Sequence, residues 1–125
     1  MAKFLVCEIC GNIVGLIKDK GGPLSCCGKS MTQLVPNIVE ASQEKHIPDV
    51  TKTEKGIKVQ VGSVLHPMLE EHYIDFIYVK TDKGGQRVAL NIGQSPEAEF
   101  CFDGEKPEEV YAYCNLHGLW KVDVN

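Results

Sequence analysis

Six cysteines and four histidines are the residues of this chain best suited to chemistry, and they are segregated. The cysteines stand at 7, 10, 26, 27, 101 and 114, the histidines at 46, 66, 72 and 117. Cysteine dominates the first 27 residues, whereas histidine appears only after residue 45. That division predicts two sites of different chemistry.

The first group is Cys7-x-x-Cys10 in "CEICGN" and the adjacent pair Cys26 and Cys27 in "SCCGKS". Four thiolates in a tetrahedron suit zinc or a single iron, and the spacing leaves both open. A C-x-x-C knuckle turns successive backbone N–H groups toward sulfur. A vicinal pair cannot form a second knuckle of that kind, so its half of the site is expected to be strained. A disulfide framework is disfavoured. The N-terminal "MAKFLVCEIC" lacks the apolar stretch and small-residue cleavage site of a secretory leader, and thiols kept reduced serve as ligands, nucleophiles or core residues.

The second group is scattered. His66 and His72 stand six apart in "HPMLEEHY", His46 lies in "EKHIP", and Cys114 and His117 stand three apart in "YCNLHGLW". Each alone has a bland reading, as a surface imidazole or a small buried thiol. Pro67 opposes the helix that an i, i+4 zinc-protease pair would need. A cysteine nucleophile needs one histidine and an orienting group, which leaves three imidazoles unused. Five nitrogen and sulfur donors exceed the four that zinc normally takes. Four imidazoles with one axial thiolate suit a five-coordinate iron with an open sixth position, and the thiolate enriches the metal in electron density. Cys101, in "AEFCF", belongs to no such set and reads as a core thiol.

The elements that must position these groups are strands. The chain has 125 residues, 43% hydrophobic and 24% charged, enough for one domain or a small one with a compact appendage. Residues 1–36 form a knuckled unit with a turn at Gly21-Gly22-Pro23, too small to build a core without a metal or partner. Residues 37–50 read as a linker that becomes a surface loop. From residue 51 the chain is strand-like throughout: "GIKVQVGSV" alternates apolar and polar, then "HYIDFIYVKT", the turn "DKGGQ", "RVALNI", "AEFCF", "EVYAYC" and "LWKVDV". Short strands at that spacing predict a small β-sandwich. A net charge of −4 with no basic stripe disfavours nucleic acid. No apolar run of about 18 residues is present to cross a membrane.

Taken together, "CEICGN…CCG", "EKHIP", "HPMLEEHYI" and "YCNLHGLW" resemble desulfoferrodoxin, the two-iron form of superoxide reductase, in order and spacing over nearly the whole chain. The resemblance implies a mainly β protein: a desulforedoxin-like, rubredoxin-type metal domain over residues 1–36, then an immunoglobulin-like β-sandwich catalytic domain over 37–125. It implies two mononuclear non-haem irons. One would be held by Cys7, Cys10, Cys26 and Cys27, the other by His46, His66, His72 and His117 with Cys114 axial. Superoxide would be reduced by one electron and two protons to hydrogen peroxide. Lys45 would attract the anion, and Glu44 would close on the open position after product leaves. A rubredoxin-type electron donor, a homodimer and a cytoplasmic location are further expectations.

Two positions depart from the family's habit: Glu71 stands where lysine is common, and Leu119 where histidine is frequent. Without the resemblance, Glu44 and Lys45 would read as a solvated charge pair. The rival functions are an electron carrier built on the four-cysteine unit and a zinc-stabilised binding module. Neither needs four histidines, a fifth cysteine, Glu44 and Lys45 together.

Overall fold

The computed structural model describes residues 1–38 and 46–124. The chain divides into two compact units, Met1–Val35 and Pro36–Asn125. No helix among the described residues is long and apolar enough to cross a membrane.

The first unit has five short strands: β1 (Phe4–Val6), β2 (Ile13–Gly15), β3 (Ser25–Cys26), β4 (Lys29–Ser30) and β5 (Thr32–Gln33). β1 is flanked by β2 and β5 in one antiparallel sheet, and β3 and β4 form a separate hairpin. Its buried apolar residues are Phe4, Leu5 and Cys7, while Ile9, Val14, Ile17 and Leu24 are exposed. So little buried area cannot offset the entropy of ordering the unit, which leaves the stabilising role to the four thiols.

Among its described residues the second unit has seven strands: β6 (Pro48–Lys52), β7 (Gly56–Val61), β8 (Ile74–Thr81), β9 (Gly84–Ala89), β10 (Glu97–Cys101), β11 (Pro107–Cys114) and β12 (Gly118–Asp123). They form a three-stranded sheet, β10-β7-β6, and a four-stranded sheet, β12-β11-β8-β9. Ile57, Val59 and Val61 of β7 point inward with the period of two that the sequence shows. Val110, Ala112 and Cys114 form the equivalent inward row of β11. The Cys114 thiol is therefore the last member of a core row.

Three details differ from the sequence reading. β6 begins at Pro48, inside the stretch read as a linker, because proline is tolerated as the first residue of an edge strand. β9 absorbs both glycines of "DKGGQ". A side chain at Gly85 would meet the Tyr78 hydroxyl at 2.1 Å, so the glycine makes room for a cross-strand ring. Cys101 is exposed rather than core: Phe100 takes the inward position, and strand alternation turns its neighbour outward.

Pairing registers bring the second-site loops to strand ends that meet. Pro48 pairs with Val61, so the residues before β6 and the loop after β7 adjoin. Two backbone bonds fix that junction, Gly62 N–H to the Ile47 carbonyl at 3.1 Å and His66 N–H to the Val61 carbonyl at 3.3 Å. In the other sheet Cys114 pairs with Ile74, placing the loop before β8 beside the β11–β12 turn. The registry shifts between Tyr113 and Cys114, a local irregularity that re-aims the end of β11.

Candidate metal centres

The four N-terminal cysteines converge, with all their sulfurs within 4.8 Å of one another. Cys10 and Cys26 sulfurs are 3.6 Å apart, and Cys26 and Cys27 sulfurs 3.9 Å. The knuckle turns the Cys10 N–H toward the Cys7 sulfur at 3.5 Å. Backbone N–H groups of Cys10 and then Ile9 hold the Cys7 thiol down at about 6. Cys27 is instead pushed up to about 12, chiefly through the Cys10 thiol, and Cys26 is raised by the same neighbour. Sulfurs this close resist ionising together unless a cation lies among them.

The expected strain in the vicinal half is located at Cys27. Its φ is +54°, the only positive value of a non-glycine residue among those described. Gly28 follows at +74°. Cys27 and Gly28 are the two-residue loop of the β3–β4 hairpin, where positive φ at both positions is the type I′ requirement. The second knuckle is thus replaced by a hairpin turn.

In the second unit, His46, His66, His72 and Cys114 bring their donor atoms within 4.8 Å of one another. His117 joins through its ring, and the four imidazoles form a closed circuit. Successive centroids lie 4.8 Å apart for His46 and His66, 4.5 Å for His66 and His72, 5.2 Å for His72 and His117, and 4.8 Å for His117 and His46. The distance across the circuit, His46 to His72, is 6.2 Å. Neighbouring planes are steeply inclined, at 65° to 80°. His46, His66 and Cys114 are buried and His117 is exposed, so the site opens on the His117 side.

One histidine reports directly on what belongs at the centre. The Nδ1 of His66 lies 2.7 Å from the Pro67 carbonyl oxygen, which can only accept, so the proton sits on Nδ1. Its Nε2 then carries a lone pair, yet it is buried and makes no hydrogen bond. Burial pushes the ring down to about 4, against the opposing pull of the Pro67 carbonyl, so it is neutral at pH 7. A dry, unpaired acceptor is costly unless an electron-poor centre faces it. The donor set therefore fits a metal ion.

Glu44 and Lys45 lie outside the described residues. Two residues that sequence reasoning passed over also shape the site. Trp120, buried, stacks on His46, and the Asn37 segment forms a parallel bridge to Trp120. The signal for Trp120 was an aromatic residue three positions beyond His117. Asn37 had none.

A four-thiol group on a small unit and a histidine–cysteine group on a β-sandwich define a protein with two mononuclear metal centres. The desulfoferrodoxin family matches residues 38–123, and its N-terminal domain matches residues 3–34. A desulfoferrodoxin of Syntrophotalea carbinolica is 49% identical over 118 residues, covering 94% of this chain and 92% of that protein. One of Nitratidesulfovibrio vulgaris is 44% identical over 119 residues, covering 94% and 92%. Among solved structures, the superoxide reductase from Treponema pallidum superposes with a TM-score of 0.83 at 31% identity, covering 98% of both chains. The chain belongs to the desulfoferrodoxin family.

Proposed function

We propose that this chain is a superoxide reductase: superoxide takes up one electron and two protons and leaves as hydrogen peroxide. In this reading residues 1–36 are an Fe(Cys)₄ domain with Cys7, Cys10, Cys26 and Cys27 as ligands. Residues 37–125 are the catalytic domain, in which His46, His66, His72, His117 and Cys114 would hold the metal. The observation that carries it is the closed circuit of four imidazoles with a buried thiol beside it and one exposed edge. Ferrous iron bound there would supply a single electron at an open position.

The chain's own residues supply the rest. Cys114, fully buried at the end of a core row, offers a thiolate in a dry environment, which strengthens its donation to the metal. His66 presents Nε2 inward because the Pro67 carbonyl holds its other nitrogen. Lys45 attracts the anionic substrate and stabilises developing negative charge. Glu44, beside Lys45 and His46 in the sequence, would offer a carboxylate to the bound metal. The electron is restored by a rubredoxin-type donor, and the working form is a cytoplasmic homodimer.

Pulse radiolysis of the iron-loaded, reduced protein tests the reading. The expected result is superoxide loss with second-order kinetics far above spontaneous dismutation, no dioxygen release, and collapse of the rate in Cys114→Ser. Loss no faster than spontaneous dismutation ends it.

A further inference from the structure

Between Cys114 and His117 stands a side chain whose polar atoms face a different loop. The Oδ1 of Asn115 accepts the Tyr73 N–H at 2.8 Å, and its Nδ2 donates to the Glu71 carbonyl at 3.1 Å. The backbone N–H of Asn115 adds a third bond, to the Tyr73 carbonyl at 3.2 Å. The pairing of β8 with β11 ends at Ile74 and Cys114, after a registry shift. Beyond that point the Asn115 carboxamide acts as an extra peptide group and continues the ladder by one rung.

The residue enclosed by these bonds is His72. Asn115 binds the carbonyl of the residue before it and the N–H of the residue after it. The other side of this segment is held by the reciprocal pair between Leu69 and His72, with N···O distances of 2.9 and 3.1 Å. Asn115 itself is covalently next to Cys114 and two residues from His117. One side chain thus links the loop carrying one donor to the turn carrying two others.

We propose that Asn115 is a positioning residue of the second centre, setting the distance from His72 to Cys114 and His117. The proposal rests on reading these side chains as one metal centre. Asparagine is the residue type required, because the position needs an acceptor and a donor on one short, planar group. Aspartate keeps the acceptor for Tyr73 N–H but turns a second acceptor toward the Glu71 carbonyl. Alanine loses both bonds.

The test compares full-length, iron-loaded wild type with Asn115→Ala, Asn115→Asp and Cys114→Ser. Three quantities are read: iron release from the second centre to a chelator, the energy of the thiolate-to-iron absorption band, and the melting temperature of metal-free protein. We expect Asn115→Ala to release iron at least roughly 10-fold faster, the scale of lost ligand-orienting contacts, and to shift the band. Asn115→Asp should lie between it and wild type, and it carries the test if the alanine variant fails to fold. A purely structural role would lower the metal-free melting temperature while leaving release rate and band unchanged, and that result overturns the proposal. If Cys114→Ser retains the band, the reading of the centre itself fails and the proposal falls with it.

Discussion

The indole of Trp120 lies stacked on the imidazole of His46, with centroids 4.9 Å apart and planes inclined by 19°. Trp120 is the chain's one tryptophan, and its Nε1 is buried without a hydrogen bond. The indole is therefore held by packing and by the strand that carries it. Its emission should report on the second centre. Adding ferrous iron to metal-free protein is expected to quench most of the fluorescence in wild type and much less in Cys114→Ser. Full emission from protein that has taken up iron at both centres would contradict the stacking.

Replacing Trp120 separates packing from stacking. Trp120→Ala leaves a cavity beside His46 and should cost about 3–5 kcal/mol in urea unfolding. Trp120→Phe keeps an aromatic face against His46 and should lose less than half of that. Equal losses in the two variants would place the contribution in indole volume rather than in the face presented to His46.

The pH dependence of the metal-free protein follows from His66. Burial lowers its folded value from 6.5 to about 4, so between those values the unfolded chain binds more protons than the folded one. Stability is therefore fully present above pH 6.5 and declines as pH falls toward 4. The urea midpoint should fall across that window and fall less in His66→Gln. A midpoint that is flat from pH 6.5 to 4 in wild type would remove His66 as a contributor.

In the first unit the hairpin at Cys27 and Gly28 gives a purely conformational prediction. A side chain at Gly28 would meet nothing within 4 Å, so only its φ of +74° resists substitution. Gly28→Ala should cost about 1–2 kcal/mol and speed iron loss from the four-cysteine group. Gly28→Asn, which visits this backbone region more readily, should cost clearly less. Identical behaviour of the two would argue against the left-handed turn.

Gly56 makes the opposite case. A Cβ there would lie 1.8 Å from the Phe100 carbonyl oxygen, a backbone atom that cannot move away alone. Gly56→Ala should cost about 3 kcal/mol by urea unfolding. Gly56 begins β7, whereas His66 follows the other end, so the visible spectrum of the iron-loaded protein should be unchanged. A spectral shift would mean that strain travels the length of the strand.

For Lys45 the expectation is kinetic. Lys45→Ala should slow the reaction with superoxide roughly tenfold at low salt and flatten its dependence on ionic strength. An unchanged rate and salt slope would remove Lys45 from substrate attraction.

The β-sandwich and the four-cysteine group were legible from strong local signals, whereas the histidine–cysteine group was legible only from its four separate motifs taken together. β7 alternates cleanly, and cysteines in pairs, one of them a C-x-x-C, are strong metal-donor signals. What stayed hidden depends on pairing. β6 was missed because this short edge strand turns only Pro48 and Val50 inward, so its alternation is faint. Cys101 was misplaced because neither neighbour reveals which of Phe100 and Cys101 faces inward until the register with β7 is known. Asn115 and Trp120 look ordinary in sequence, since their partners at Glu71, Tyr73 and His46 lie more than forty positions away.

In the proposed second centre the five donors come from both sheets, His46 from just before β6 and His66 from the loop after β7, the others from just before β8, the end of β11 and the turn after it. A bound ion there is a cross-link between the two layers, closing a loop that runs from residue 46 to residue 117. During synthesis, only two or three imidazoles have left the ribosome until β11 and its turn emerge. The donor set of this centre is therefore complete only once the last strands are in place.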